Sequence, residues 1–326
     1  MWRVPGRMKR ILIVKPSSLG DIVHGLLVAQ SIHEQMADGS ITWVAREIFA
    51  PLVQSCLAVD HTIIFPRQRW LTGMGRFVCE LRREEYDYVL DMQGLARSGL
   101  MTLLARSRVK IGRSDARELA GWACTQRAPL PATGSKSHAV EVLLQFLPLL
   151  GLQAKLGKPI RLEPESLPPP HDKLAAARPI VLLPHSRKRK KEWPGFVKLT
   201  QLLLARHEET LVVWSSHKRC TVPEAVASHP RFHNLTAQTT LRQMIGLIAG
   251  ARVVVVNDSG PLHIAAAVGT PLVACFGPTP PELYGPYPLD CPRHRIVRAP
   301  DGNLARLEAS VVLAAVETSL QTNTPQ

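Results

Sequence analysis

The sequence predicts an α/β protein of two domains, each with a parallel sheet covered by helices. Three observations carry this. Short apolar runs of strand length, Ile11-Leu12-Ile13-Val14, Ile180-Val181-Leu182-Leu183 and Val253-Val254-Val255-Val256, read as strands buried on both faces. Each leads into a polar turn and then a helical pattern, the alternation of a doubly wound sheet. Between the halves stands Pro164-Glu165-Ser166-Leu167-Pro168-Pro169-Pro170, which neither continues a helix nor enters a central strand. It sets the expected domains at 1–165 and 166–326.

In the first half, Lys15-Pro16-Ser17-Ser18-Leu19-Gly20-Asp21 is the turn behind the first strand, and 22–36 reads as a helix. The turn has neither G-x-G-x-x-G nor G-K-[ST], which disfavours a dinucleotide loop and a P-loop. It offers two hydroxyls, Ser17 and Ser18, and a carboxylate, Asp21, with His24 one turn on along the same face. A capping aspartate and a surface histidine would use the same residues. The chemical reading places a carboxylate base at the carboxyl edge of a parallel sheet, where open α/β folds bind ligands. Further strands are expected at 41–44, 62–65, 86–91 and 109–112. Gln93-Gly94-Leu95 opens a helix to about residue 106, and another helix covers 138–150. The loops carry Arg67, Arg69, Arg113 and Arg117. Singly, each reads as solvated surface. Gathered at one sheet edge, they suit a carboxylate or phosphate held by bidentate contacts.

The second half restarts the pattern, and Pro184-His185-Ser186 mirrors the Ser17-Ser18 turn. Arg187-Lys188-Arg189-Lys190-Lys191-Glu192-Trp193-Pro194 is a charge run of the kind usually found on a solvated loop. It follows a buried strand, however, and a helix opens at Gly195-Phe196. A lysine held there, Lys191 above the others, can pair with a diphosphate and offset charge on a departing nucleotide. A strand at 211–214 precedes Glu224, a candidate ribose contact. A helix at 241–250 leads to the four valines and to Asn257-Asp258-Ser259-Gly260-Pro261-Leu262-His263. Here Asp258 or Ser259 is the N-cap and Pro261 lies in the first turn. The free N–H groups of such a helix start attract phosphate, and His263 shares a face with Ser259. An ordinary capped helix has the same pattern. A strand at 271–276 ends in Gly277-Pro278-Thr279. A terminal amphipathic helix at 303–320 is a candidate to pack back on the first domain, and the last few residues read as disordered.

Composition bounds the function. The chain has 326 residues, 45% of them hydrophobic, and a formal charge of +14, which favours polyanionic partners. Aromatic content of 5% and the lack of a helix-turn-helix, zinc-finger or RNP signature speak against nucleic acid. No run is long enough to span a membrane. No signal peptide is evident, and residues 1–7 read as a loose extension. The six cysteines are scattered without a C-x-x-C pair, which fits reduced cytoplasm and argues against structural zinc.

Several motifs occur in order: Lys15-x-Ser17-Ser18-Leu19-Gly20-Asp21-Ile22-Val23-His24, Asp91-x-Gln93-Gly94-Leu95, Lys191-x-Trp193-Pro194, Asp258-Ser259-Gly260-x-x-His263 and Phe276-Gly277-Pro278-Thr279. Together they resemble the ADP-heptose:lipopolysaccharide heptosyltransferases of glycosyltransferase family 9. The likeness runs from about Lys9 to Pro288 and is closer to the heptosyltransferase I branch, which adds the first heptose to Kdo. The resemblance implies a GT-B fold, two Rossmann-like domains with parallel sheets facing across a cleft, and inverting transfer without an obligatory metal or other cofactor. It implies Asp21 as general base and Lys191 on the donor's phosphate and sugar. Ser186, Arg187, Glu224, Asp258, Ser259, Gly260 and His263 would surround the nucleotide sugar. Ser17, Ser18, His24, Arg67, Arg69, Gln93, Arg113 and Arg117 would face an anionic Kdo–lipid A acceptor. The partners implied are that donor, that acceptor and the cytoplasmic face of the inner membrane as a peripheral surface, with no nucleic acid.

Two other functions use the same features. A GT-B enzyme of this family with another sugar donor or glycan acceptor would share the motifs. An inactive polyanion-binding protein would share the charge, though it has no need of Asp21 and Lys191.

Overall fold

The computed structural model describes residues 8–207 and 210–322; the amino-terminal extension and the carboxyl-terminal tail singled out above lie largely outside them. The chain divides between Leu162 and Glu163 into two compact units.

In the first unit the strands are β1 (Lys9–Val14), β2 (Gly39–Arg46), β3 (His61–Phe65), β4 (Glu85–Asp91), β5 (Arg106–Arg113) and β6 (Gln126–Ala128). The helices are α1 (Leu19–Gln35), α2 (Ala50–Gln54), α3 (Trp70–Leu81), α4 (Ala96–Leu104) and α5 (Ala139–Leu144). The sheet is wholly parallel, in the order β3-β2-β1-β4-β5-β6. The chain winds outward from β1 and then crosses to the other side at β4. The order therefore reverses between β1 and β4, where Val14 lies opposite Asp91. Loops leaving two such neighbours in opposite directions open a crevice at the carboxyl edge.

The second unit repeats the plan. Its strands are β7 (Ile180–Leu183), β8 (Val212–Trp214), β9 (Phe232–Asn234), β10 (Val253–Asn257), β11 (Leu272–Phe276) and β12 (His294–Arg298). Its helices are α6 (Phe196–Arg206), α7 (Glu224–Ala227), α8 (Leu241–Gly250), α9 (Gly260–Ala267), α10 (Pro281–Tyr284) and α11 (Ala309–Thr322). The order β12-β11-β10-β7-β8-β9 is again parallel and reverses between β7 and β10, with Leu183 opposite Val256. The core beside this sheet holds an edge-on aromatic series, Trp193 on Phe196 at 5.1 Å, Phe196 on Trp214 at 6.3 Å and Trp214 on Phe232 at 5.8 Å. The terminal helix α11 buries Val312, Leu313 and Val316 in this same core and packs against α6.

Several elements differ from expectation for identifiable reasons. The helix expected over 138–150 ends at Leu144 and continues as a 3-10 turn, Leu147–Leu150; Pro148 has no N–H to extend the α-helical ladder. The terminal helix expected from 303 begins at Ala309. Before it, Asn303 caps a separate 3-10 turn, and the Trp193 indole N–H donates to the Leu307 carbonyl at 2.9 Å. α4 stops at Leu104 rather than near 106 because Ala105 is already extended and β5 begins at Arg106; the carbonyls left over accept from Lys110 on Leu103 at 2.8 Å and Arg82 on Leu104 at 2.9 Å. The edge strands β6, β9 and β12 carry Arg127, His233 and Arg295 in place of an apolar run, so no hydrophobic pattern announces them.

Candidate functional site

Each unit presents a cluster at its sheet's reversal point. In the first, Ser18 is the N-cap of α1 and Asp21 is its third residue, so Asp21 is not itself the cap. Its carboxylate accepts from Ser18 N–H at 3.0 Å and Ser18 Oγ at 2.5 Å, which fixes the side chain at the helix's positive end. The neighbouring turn closes on it: Ser17 N–H donates to Gln93 Oε1 at 3.4 Å. Gln93 is carried by a loop wound around Asp91, whose buried carboxylate accepts from Gln93 N–H, Gly94 N–H and Ser98 Oγ at 2.9–3.0 Å. Gly94 has φ of 68°, a conformation that glycine adopts without strain. Burial raises the Asp91 pKa, against those hydrogen bonds and Lys15.

Lys15 directly follows β1 beside this cluster. It is buried, and its ammonium donates to the Met92 carbonyl at 2.9 Å. Desolvation pulls its pKa down to about 8, opposed first by the charge of Asp21. His24 is buried too, rather than a surface residue, and stands edge-on to His138 at 5.3 Å. Arg113 binds Asp115 through two parallel bonds, Nε–Oδ1 at 2.8 Å and Nη2–Oδ2 at 2.7 Å. That carboxylate raises the Arg113 pKa, while the guanidinium lowers that of Asp115. Arg67, Arg69 and Arg117 are exposed.

Two arginines join this edge that sequence reasoning did not single out. Arg46 ends β2, and its N–H donates to the Pro16 carbonyl at 3.2 Å. Arg97 opens α4. Burial lowers the Arg46 pKa, and the charges of Arg67 and Arg97 lower it further. Its Nε is buried without a hydrogen-bond partner. Three guanidinium groups that repel one another, with Glu47 as the nearby counter-charge, form a place for an anion. Their common signal is position: Arg46 and Arg67 lie at or just past a strand's carboxyl end, and Arg97 in the first turn of the helix after β4.

In the second unit, Lys191 ends a 3-10 turn after β7 and pairs with the Asp258 carboxylate, which also accepts from the Thr279 hydroxyl. The Lys191 ammonium lies 5.9 Å from the Tyr284 ring centre. Asn257 joins the two loops, giving its amide N–H to the Pro184 carbonyl at 2.8 Å and accepting from Trp193 N–H at 3.0 Å. Ser259 is the N-cap of α9, with Gly260 and Pro261 opening the helix and His263 one turn in. The Ser259 Oγ is buried and has no hydrogen-bond partner, so a hydroxyl stands at the positive end of α9. Ser186 is buried, its N–H given to Glu192 Oε1 at 3.0 Å; the same oxygen meets His185 Nδ1 at 2.6 Å. Arg187 is exposed. Glu224 is exposed as well, at the first residue of α7, which follows β8. Thr279, Tyr284, Asn257 and Glu192 complete this cluster without having been chosen from sequence, although Thr279 stood in a turn after a buried strand. Among the described residues, no group of three or more His, Cys, Asp or Glu is placed to hold a metal ion, and no helix is long and apolar enough to cross a membrane.

Residues 74–309 match the model of the family described as glycosyltransferase family 9 (heptosyltransferase). The chain belongs to glycosyltransferase family 9. Within this family it is 30% identical to lipopolysaccharide heptosyltransferase 1 of Pseudomonas aeruginosa, over 85% of this chain and 81% of that one. It is 27% identical to the protein of the same name from Salmonella typhimurium, over 94% and 99%. Among solved structures, E. coli heptosyltransferase WaaC with ADP superimposes with a TM-score of 0.79 at 26% identity, over 95% of this chain and 99% of that one. WaaC with ADP-2-deoxy-2-fluoro heptose gives a TM-score of 0.75 at 25% identity, over the same shares of the two chains. This family 9 glycosyltransferase thus has the GT-B fold, its two parallel sheets each of six strands.

Proposed function

We propose that this family 9 enzyme transfers heptose, with inversion, from ADP-heptose to the Kdo of a lipopolysaccharide inner core. The first unit takes the acceptor and the second the donor. The observation that carries the reading is the Lys191–Asp258 pair beside the unpartnered Ser259 hydroxyl and the N-terminus of α9. Cation, hydroxyl and helix N–H groups at one place are what a sugar diphosphate needs. The relatives named lipopolysaccharide heptosyltransferase 1, and the likeness to WaaC with an ADP-heptose analogue, support heptose as the sugar.

The acceptor hydroxyl attacks the anomeric carbon of the heptose as Asp21 takes its proton. The bond from that carbon to the ADP β-phosphate oxygen breaks, and ADP leaves with the electron pair. Lys191 and the α9 amides meet the growing negative charge on the diphosphate. The Ser18 hydrogen bonds hold Asp21 in one orientation, so little is lost in positioning the base. Asp258 orients Lys191 and faces the sugar, and Thr279 steadies Asp258. The basic edge of the first unit suits an acceptor rich in carboxylate and phosphate, and such an acceptor brings the enzyme to the cytoplasmic face of the inner membrane.

The test is ADP release from ADP-heptose with Kdo–lipid A, for wild type and Asp21→Ala. Acceptor-dependent release that drops by about a hundredfold or more in the variant is the expected result. Release that persists in Asp21→Ala would remove the base. Tight ADP binding without release would reject this donor–acceptor pair.

A further inference from the structure

A ridge of large apolar side chains stands uncovered on the first unit. Leu100 and Leu103 lie one turn apart on α4 and are 52% and 59% exposed; on the adjoining loop and 3-10 turn, Leu119 is 76% and Trp122 84% exposed. The pieces form one surface, because the turn seats directly on the helix at Gly99, where a Cβ would come within 2.9 Å of Ala120 Cα. Leu119 has φ of 62°, an uncommon conformation for leucine. Single exposed leucines are ordinary, whereas a contiguous apolar ridge that includes a tryptophan marks an interaction surface.

The ridge is edged with cations. The Arg127 guanidinium lies against Gly121, where a Cβ would sit 2.8 Å from its Nη2. Lys110 and Arg82 are anchored on the Leu103 and Leu104 carbonyls. A nearby acid, Glu118, has its carboxylate on the Ala96 N–H at 3.1 Å. Apolar side chains bordered by arginine and lysine are complementary to an anionic bilayer: the indole and leucines enter the interface and the cations meet lipid phosphates. A second copy of this chain suits the face less, since self-pairing about a two-fold axis sets like charges together.

We propose that this face docks the protein on an anionic phospholipid surface, with Trp122 and Leu119 inserted at the interface. It builds on the proposed acceptor only for its purpose. Arg117, two residues before Leu119, donates its N–H to the Gly94 carbonyl at 2.9 Å, which ties the ridge to the loop that carries Gln93. A lipid-borne sugar would then be met at the edge that holds Asp21.

The experiment is co-sedimentation of the full chain with vesicles of phosphatidylglycerol and phosphatidylcholine, and with phosphatidylcholine alone, at about 0.1 M salt. Wild type sediments with the anionic vesicles only. Leu119→Ser/Trp122→Ser lowers the partition coefficient about tenfold or more, with ADP affinity and melting temperature kept. Arg127→Gln lowers it several-fold and flattens its salt dependence. Quenching of tryptophan fluorescence by brominated lipid, present in wild type, is lost in the double variant. Unchanged partition of the double variant, or no binding of wild type to anionic vesicles, overturns the proposal. So does a vesicle-free dimer abolished by the double variant, which assigns the face to a second copy. Vesicle binding is read without sugar transfer, so failure of the heptosyl reading and failure of docking are separate results.

Discussion

Lys191 sets its ammonium on the Asp258 carboxylate across 67 residues of sequence, and Thr279 donates to the same oxygen. The pair is mostly enclosed, with side-chain exposures of 16% and 7%. Lys191→Met therefore strips Asp258 of its cation as well as removing the proposed diphosphate contact. Transfer should fall about a hundredfold or more, and ADP affinity with it. Because the residues act as a unit, Lys191→Met/Asp258→Asn should cost less than the sum of the single changes, with a coupling of about 1–3 kcal/mol. A double-mutant cycle on ADP affinity measures it; strict additivity would deny the pairing.

Lys15 gives a pH dependence with a definite sign. Its folded pKa of about 8 lies below its ordinary 10.5. Below pH 8 both folded and unfolded chains hold the proton, and the cost of burying the charge is fully present. Between 8 and 10.5 the unfolded chain binds more protons, so this group's contribution to stability rises with pH. Cys56 and Tyr86, pushed up to about 11 and about 12 by burial, act in the opposite sense as pH rises. The difference between wild type and Lys15→Met isolates the lysine. Urea unfolding from pH 7.5 to 10 should show wild type gaining on the variant across that range, and a constant gap would refute the shift.

Arg46 stands in a group of like charges with a buried, unpartnered Nε. Arg46→Gln should raise KM for a lipid-linked acceptor several-fold and weaken its salt dependence, as expected when one of several charge-assisted contacts is lost. ADP affinity, which the proposed reading gives to the other unit, should stay unchanged. Steady-state kinetics at two salt concentrations decide it; a KM equal to wild type at both would place the acceptor elsewhere.

Asn257 is fully buried and holds the Lys191 loop to β10 through Pro184 and Trp193. Asn257→Ala leaves the half-buried Pro184 carbonyl and the buried Trp193 N–H without this partner, a loss of about 2–4 kcal/mol. For a unit of this size the melting temperature should drop by roughly 5–15 °C. Calorimetry checks this, and a change of a degree or less would show that the two loops are held without it.

The central strands and the turns behind β1, β7 and β10 were legible because apolar runs flanked by turn residues have few alternatives. The order of motifs carried the family. Asp21, Lys191, Asp258 and Ser259 stood out as candidates because each lies in the turn or helix start that follows a buried strand, and the resemblance supplied their expected roles. Arg46 and Arg97 were not, because an arginine at a strand end or in a first helical turn looks like any solvated surface residue until its neighbours in space are known. Glu192 and Asn257 were missed because their work is to join loops distant in sequence.

The sequence by itself thus determined the α/β class, the parallel strands and the chemical character of the two sheet edges. Those follow from local periodicity and from which residues end a buried strand. Only the tertiary structure decided that the strand order reverses at β1/β4 and β7/β10, that Asp21 is the third residue of its helix under a Ser18 cap, and that Lys191 rests on Asp258. Pairing across tens of residues depends on which strands become neighbours, and the pattern along a single strand is the same whichever neighbour it takes.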